Sequence, residues 1–376
     1  MTFFKQNYFI HFTGLAVISL LTSSFSLPTS TNINNNVKSS EKVEQKYITI
    51  KAVGDIVAGT NFPDYRLPRN PNQLLPKPVR DKLKNSDILF GNYESTLTNH
   101  PYTTKDTTKG AVFAFRSPPE YASLFSQVGF DVMSVANNHA MDFGRKGFSD
   151  TVNNLNAAGV KTVGAKNQIL YTKVKNIPVA WIGFCFYEYC NTVQDIQKAK
   201  ALVNQARQKA KIVIISMHVG AEGSDALHVR NATEYFYGEN RGNSILFARS
   251  MVDAGADLIL GHGPHVPRAM EVYKGKLIAY SLGNFLGYKT FSTTAEKGDS
   301  LILEAKINQD GDFVSGKIDS IQLDKTGIPQ VDKYGQTIDL IRSLTKRSFP
   351  NTKISISQKG EINFSRQDVA RKKNLN

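Results

Sequence analysis

The sequence predicts an α/β fold, a sheet covered by helices, and three observations carry that prediction. Short apolar runs recur without the alternation of a half-solvated strand, as strands buried on both faces do. Helical stretches lie between them and stop one to three residues before the next run, which is α/β punctuation with short connections. Five of the runs end in polar clusters, and side chains gathered at one edge of such a sheet are where an α/β protein builds a site.

Taken in order, Lys5 precedes an apolar run from Tyr8 to Leu21 and small residues up to Ser26. This reads as an export signal over residues 1–26 with a cut after Ser24-Phe25-Ser26, or as an uncleaved membrane anchor over 8–22. The run is short for a membrane span, and no lipobox cysteine is present. Residues 27–46, rich in Ser, Thr, Asn and Lys, read as a flexible linker. From Tyr47 the folded domain begins. Predicted strands cover 47–53, ending in Gly54-Asp55; 87–90, ending in Gly91-Asn92-Tyr93-Glu94; and 130–135, ending in Asn137-Asn138-His139. Two more cover 211–217, ending in His218, and 257–260, ending in Gly261-His262-Gly263-Pro264-His265. Predicted helices cover Pro118 to Val128, Gly147 to Ala158 before Gly159, Val193 to Ala210, and Asn243 to Ala254 before Gly255. Two long segments, Asn61 to Pro78 and Gly223 to Gly242, interrupt the alternation beside the polar clusters, where loops of that length usually serve a site or a partner. Beyond Phe285, strands at 300–307 and 317–322 flank the turn 308–312, so an antiparallel hairpin finishes the sheet. A single large domain over 47–345 and a loosely ordered basic tail over 346–376 complete the expectation.

With 376 residues and ordinary apolar content the chain can bury a large core. Its formal net charge of +14 suits contact with a polyanion. Nucleic acid is the poorer match, because no finger, recognition helix or aromatic and basic stacking strand is present. The two cysteines, Cys185 and Cys190, can close a small disulfide ring in an oxidising compartment or stay reduced. They lack the second pair that a structural zinc site would need.

A lone His after a strand is most often a buried imidazole, and Gly-Asp after a strand is most often a turn. Five strand ends carrying metal-type groups together point instead to a site. Asp55, Glu94, an Asn of the 137–138 pair, His218, His262 and His265 make a mixed oxygen and nitrogen set that suits Mn, Fe or Zn.

These motifs, in the order Val53-Gly54-Asp55, Gly91-Asn92-Tyr93-Glu94, Ala136-Asn137-Asn138-His139, His218-Val219-Gly220-Ala221-Glu222, Gly261-His262-Gly263-Pro264-His265-Val266 and Tyr280-Ser281-Leu282-Gly283-Asn284-Phe285, resemble the CapA-type capsule-synthesis family associated with poly-γ-glutamate. The resemblance covers about 47–331. It implies a calcineurin-like metallophosphoesterase fold, a four-layer α/β/β/α sandwich, and a role in capsule or exopolymer assembly outside the cytoplasm. It also implies a substrate that is an anionic polymer or phosphoester, and partners among membrane-bound capsule synthesis or export components. Residue by residue, it makes Asp55, Glu94, Asn138, His218, His262 and His265 ligands of one or two divalent ions, with Glu94 as the bridging acid. His139 becomes the imidazole that acts on substrate, with Asp142 orienting it if a helix starts there. A metal-activated water would then carry out hydrolysis or transfer. The chain departs from the phosphoesterase pattern at Val57, where a histidine is expected, and in the spacing of His262 and His265. One metal position is thereby short of a ligand, and a non-catalytic role in polymer export or assembly is the alternative.

Overall fold

The strand Tyr47–Val57 is buried along all but its first residue, as expected of a strand paired on both sides and covered on both faces. Ile88–Tyr93, Val132–Ser134 and Lys161–Val163 succeed it in parallel. Asp299–Asn308 joins its other side antiparallel and is followed by Phe313–Leu323. With Asn284–Gly287, Pro329–Val331, Ile354–Ile356 and Glu361–Phe364 these form a ten-stranded mixed sheet. A second sheet of seven strands has Ile177–Cys185, Ile212–His218, Leu258–His262 and Lys276–Ala279 as parallel neighbours. Leu170–Val174 and Met270–Tyr273 close its edges antiparallel. The computed structural model describes residues 47–110 and 112–364, which fall within one compact unit.

The period of two along each strand sorts its side chains between two cores. Ile212, Ile214, Leu258 and Leu260 point into a core shared with Ile48, Ile50 and Phe90 of the first sheet. There Phe90 and Trp181 stack with ring centroids 5.5 Å apart. Val213, Ile215 and Ile259 point the other way, against Val203 of helix Ile196–Arg207 and Phe247 and Met251 of helix Ser244–Asp253. On the outer face of the first sheet, Val53, Leu89 and Met133 meet Val79, Phe125 and Leu155 of helices Lys77–Leu83, Ala122–Val128 and Gly144–Ala157. The order of layers is helix, sheet, sheet, helix, the predicted four-layer sandwich, and the antiparallel hairpin lies beside the first strand.

The predicted elements are present with shifted ends. The 193–210 helix is trimmed to Ile196–Arg207 because Asp195 caps it, accepting from Lys198 N at 3.0 Å. The boundary at 345 is corrected. Helix Gln336–Ser348 runs through it, with Ile338 and Ile341 buried in the core between the sheets. Ile354–Ile356 and Glu361–Phe364 then pair onto the edge of the ten-stranded sheet, so the domain continues to Phe364. Strands of three and four residues are too short for alternation to show against a polar background. The expectations for 1–26 and 27–46, and the last residues of the tail, lie outside the described residues. Among the described residues no helix is long and apolar enough to cross a membrane.

Candidate metal centre

The parallel strands of both sheets end at the same edge of the sandwich, and the polar clusters meet there. In the first sheet Asp55 is paired across the strands with Asn92 on one side and Asn284 on the other. In the second, His218 is paired with His262. Gly54 makes the first arrangement possible. A Cβ there would lie 1.9 Å from the Gly283 carbonyl oxygen, the group that accepts from Asp55 N at 2.9 Å. The pairing slips between Asp55 and Ile56, a bulge that turns the carboxylate toward the second sheet. Gly263 does the same for the histidines, with a φ of 107° and a position where a Cβ would touch the His218 ring at 3.1 Å.

Asp55 accepts from Asn92 Nδ2 at 2.8 Å, while His262 Nδ1 and His265 Nδ1 stand 3.4 and 3.2 Å from its oxygens. Glu94 is fully buried and neither of its oxygens accepts a hydrogen bond. His218 Nε2 and His265 Nε2 approach its Oε1 at 3.6 and 3.7 Å, beyond hydrogen-bonding range. His218 Nε2, both ring nitrogens of His262 and the Oδ1 of Asn138 are likewise buried without partners. Asp55, Glu94 and His218 each offer an atom within 4.8 Å of the others. Buried polar atoms are rarely left unpaired, and this many in one place fit a cation-binding pocket.

The electrostatics agree. Burial pushes Glu94 well above the ordinary carboxylate range, with the Asp55 charge adding to the effect. Burial would raise Asp55 too, yet the His262 and His265 imidazoles beside it hold it well below that range. Burial pushes His218 well below the usual imidazole value. It would lower His265 as well, but the Glu94 carboxylate and the contact with Asp55 raise His265 to about 10. The pocket demands positive charge, and a divalent cation answers the same demand.

Asn137 ties the turn to the first sheet: its Nδ2 donates to Asn92 Oδ1 at 3.1 Å and to the Tyr93 carbonyl at 2.9 Å. Its own carbonyl accepts from Tyr189 Oη at 2.7 Å, from the loop that the Cys185–Cys190 disulfide closes. His139 follows in the turn 138–143, before helix Gly144–Ala157 begins. Its Nδ1 lies 2.8 Å from Asp142 Oδ2, so the orienting contact is made by a turn and not by the helix expected there. Burial lowers the His139 imidazole, against the pull of Asp142. Phe115 packs on its ring at 4.5 Å between centroids.

The structure thus brings Asp55, Glu94, His218, His262 and His265 into one pocket and sets Asn138, His139 and Asp142 on the adjoining turn. Five contributors do not figure among the predicted site residues: Asn92, Asn284, Glu222, Arg241 and Lys105. Asn92, Asn284 and Glu222 sit inside the motifs already singled out, and their pairing or facing with Asp55 and His265 is visible only once the strands are aligned. Lys105 Nζ lies 2.6 Å from Asp142 Oδ1 and 3.2 Å from His139 Nδ1, reaching in from a loop with no periodic signal. A cleft of about 420 Å³ opens over the pocket, lined by His139, Glu222, His265, Asn284, Phe115 and Lys297 among others. A larger hollow of about 730 Å³ lies along helix Ile196–Arg207 and has no histidine in its lining.

Among solved structures, the 5′-nucleotidase precursor of Thermus thermophilus aligns over 74% of this chain and 54% of its own, about half its length, at 13% identity and a TM-score of 0.42. The purple acid phosphatase PPD1 of yellow lupin aligns over 74% of this chain and 52% of its own, at 10% identity and a TM-score of 0.36. In sequence, the PGA biosynthesis protein CapA of Bacillus subtilis is 28% identical over 319 residues, 79% of this chain and 77% of its own. The capsule biosynthesis protein CapA of Bacillus anthracis is 29% identical over 296 residues, 71% and 66%. A probable polyglutamine synthesis accessory protein of Mycobacterium tuberculosis is 27% identical over 228 residues, 53% and 55%. The family described as bacterial capsule synthesis protein PGA_cap matches residues 49–289, a span that begins in the first strand and takes in every strand end of the pocket. By that match the chain belongs to the family of bacterial capsule synthesis proteins.

Proposed function

We propose that this protein is a metal-dependent hydrolase or transferase of capsule or exopolymer synthesis, acting on an anionic polymer or a phosphoester. The observation that carries the reading is the set of buried, unpartnered donor atoms on Glu94, His218, His262 and Asn138. With Asp55 and His265 these residues would hold one or two divalent cations, Mn, Fe or Zn by their mixed donors. A cation bound there supplies Lewis acidity and makes water a nucleophile near neutral pH.

The chain itself supplies the rest. Asp142 engages His139 at Nδ1, which leaves Nε2 to take a proton from water and deliver it to a leaving group in the cleft, the Asp142 carboxylate balancing the charged ring. Lys297 in the cleft lining and Lys105 behind His139 offset the charge of an anionic substrate. Asn92 and Asn284 fix the Asp55 and His265 side chains. Val57, fully buried in the first strand where the resemblance implies a histidine, favours a second reading, polymer export or assembly without turnover.

One experiment separates the two. The purified protein, loaded in turn with Mn, Fe and Zn, is given a phosphodiester reporter and poly-γ-glutamate in the same buffer. Turnover of one substrate is expected. Full metal loading with turnover of neither would sink the catalytic reading and leave the binding role.

We also infer that the protein works outside the cytoplasm with membrane-bound capsule components. The Cys185–Cys190 disulfide, with Cα atoms 5.9 Å apart, supports this because such bridges persist in oxidising compartments. The apolar run from Tyr8 to Leu21 points the same way. Cell fractionation with thiol labelling is expected to find the protein oxidised in the envelope or medium. Recovery in the cytoplasm with both thiols free would contradict the assignment.

A further inference from the structure

Glu222 follows His218 by four residues, on the turn that leaves the second sheet. One side of its carboxylate is fixed: Arg241 Nη1 donates to Oε1 at 2.8 Å. Arg241 is held in turn. Its side chain is 4% exposed, its guanidinium lies over the rings of Phe186 and Phe236 at 4.3 and 5.3 Å, and its Nη2 pairs with Glu239 at 2.8 Å. The short hairpin of Tyr235–Phe236 and Glu239–Asn240 therefore carries a rigid clamp for Glu222.

The other oxygen, Oε2, is turned toward His265, 3.7 Å from Nε2. The same Nε2 stands 3.7 Å from Glu94 Oε1, on a carboxylate that is fully buried with no hydrogen bond. Two carboxylates thus converge on one imidazole nitrogen without hydrogen-bonding it. Two atoms bound about 2.0–2.2 Å from one ion stand at most about 4.4 Å apart, so both separations are short enough for a shared cation. An ordinary ion pair with Arg241 would need only one oxygen of Glu222 and would leave Glu94 as it is.

We propose that Glu222 is a metal ligand, forming with Glu94 and His265 a second cation position beside the one outlined by Asp55, Glu94 and His218. Glu222 supplies from the second sheet a group that Val57 cannot supply from the first. Arg241 is its positioning residue. Two carboxylate oxygens and one nitrogen favour Mn²⁺ or Fe²⁺ over softer ions. The inference rests on the reading that the pocket binds metal, and its test tells the two apart.

Mn²⁺ binding to the full-length protein is measured by equilibrium dialysis with elemental analysis and by electron paramagnetic resonance. The wild type is expected to take two Mn²⁺ per chain with a spin-coupled signal. Glu222→Gln is expected to keep the tighter ion, lose the coupled signal and bind the second about 100-fold more weakly, the upper range for disturbing a metal's surroundings. Two ions held equally well by Glu222→Gln, or a single ion in both proteins, would overturn the Glu222 assignment and leave the first position standing. No bound Mn²⁺ in the wild type would overturn both. Should Glu222→Gln fail to fold by circular dichroism, Glu222→Asp keeps the charge facing Arg241 and shortens the reach. It is expected to weaken only the second ion, and unchanged affinity there overturns the proposal.

Discussion

Replacing His139 with Ala is expected to slow hydrolysis by roughly 10²–10⁴, the range for loss of a positioned acid or base, while bound metal and folding stay nearly unchanged. The geometry separates this imidazole from the cation pocket: its Nδ1 contacts are Asp142 and Lys105, and its ring rests on Phe115 at the wall of the cleft. Truncation removes no atom that faces Glu94 or Asp55. Asp142 makes a less clean target. Its carboxylate also accepts from Phe115 N at 2.7 Å and pairs with Lys105 Nζ at 2.6 Å, so its loss would loosen the segments around Lys105 and Phe115 as well. Metal analysis, thermal unfolding and the pH profile of the rate are measured together. A merely structural His139 would lower the unfolding temperature and leave the rate of the folded fraction at the wild-type level. Turnover as fast as wild type, on the substrate that the wild type hydrolyses, would remove His139 from the mechanism.

The strand ends were readable because burial and chemistry coincide there. A run such as Ile212–His218 is apolar but for Ser216 until it reaches His218, so the change of character marks both the end of the strand and the site. The alternation of Ile212 and Ile214 against Val213 and Ile215 was not readable as two-sided, since every residue is apolar and only the partners differ. Four layers therefore came from family resemblance and not from pattern. The supporting groups were hidden for another reason. Asn92 and Asn284 act through their pairing across the first strand, and Lys105 and Arg241 through loops whose course depends on tertiary contacts. The order of Ile354–Ile356 and Glu361–Phe364 likewise depends on the edge of a finished sheet, which nothing in their own composition announces.

His218→Ala and His262→Ala are each expected to remove most bound transition metal, whereas His228→Ala is expected to leave it in place. His218 and His262 lie side by side on neighbouring strands, both essentially buried, and among their nitrogens His218 Nε2 and both of His262 have no hydrogen-bond partner. They supply neutral nitrogen donors to a pocket otherwise rich in oxygen, so removing one lowers affinity for Mn, Fe or Zn much more than for a hard cation. His228 is within the long 223–242 loop, its Nε2 3.3 Å from Arg347, and serves as a control of the same residue type. Metal content by elemental analysis is the primary readout. A second readout is thermal: a ligand present at 100 times its Kd stabilises the folded state by about 2.7 kcal/mol. Adding Mn²⁺ is therefore expected to raise the unfolding temperature of the wild type and of His228→Ala. The same addition is expected to leave His218→Ala nearly where it stands without metal. The truncation also opens space between Phe186, whose ring centroid is 6.0 Å from that of His218, and Gly263, so the metal-free variant is compared with metal-free wild type to remove the packing contribution. Equal metal content and equal thermal response in wild type and His218→Ala would sink the ligand set.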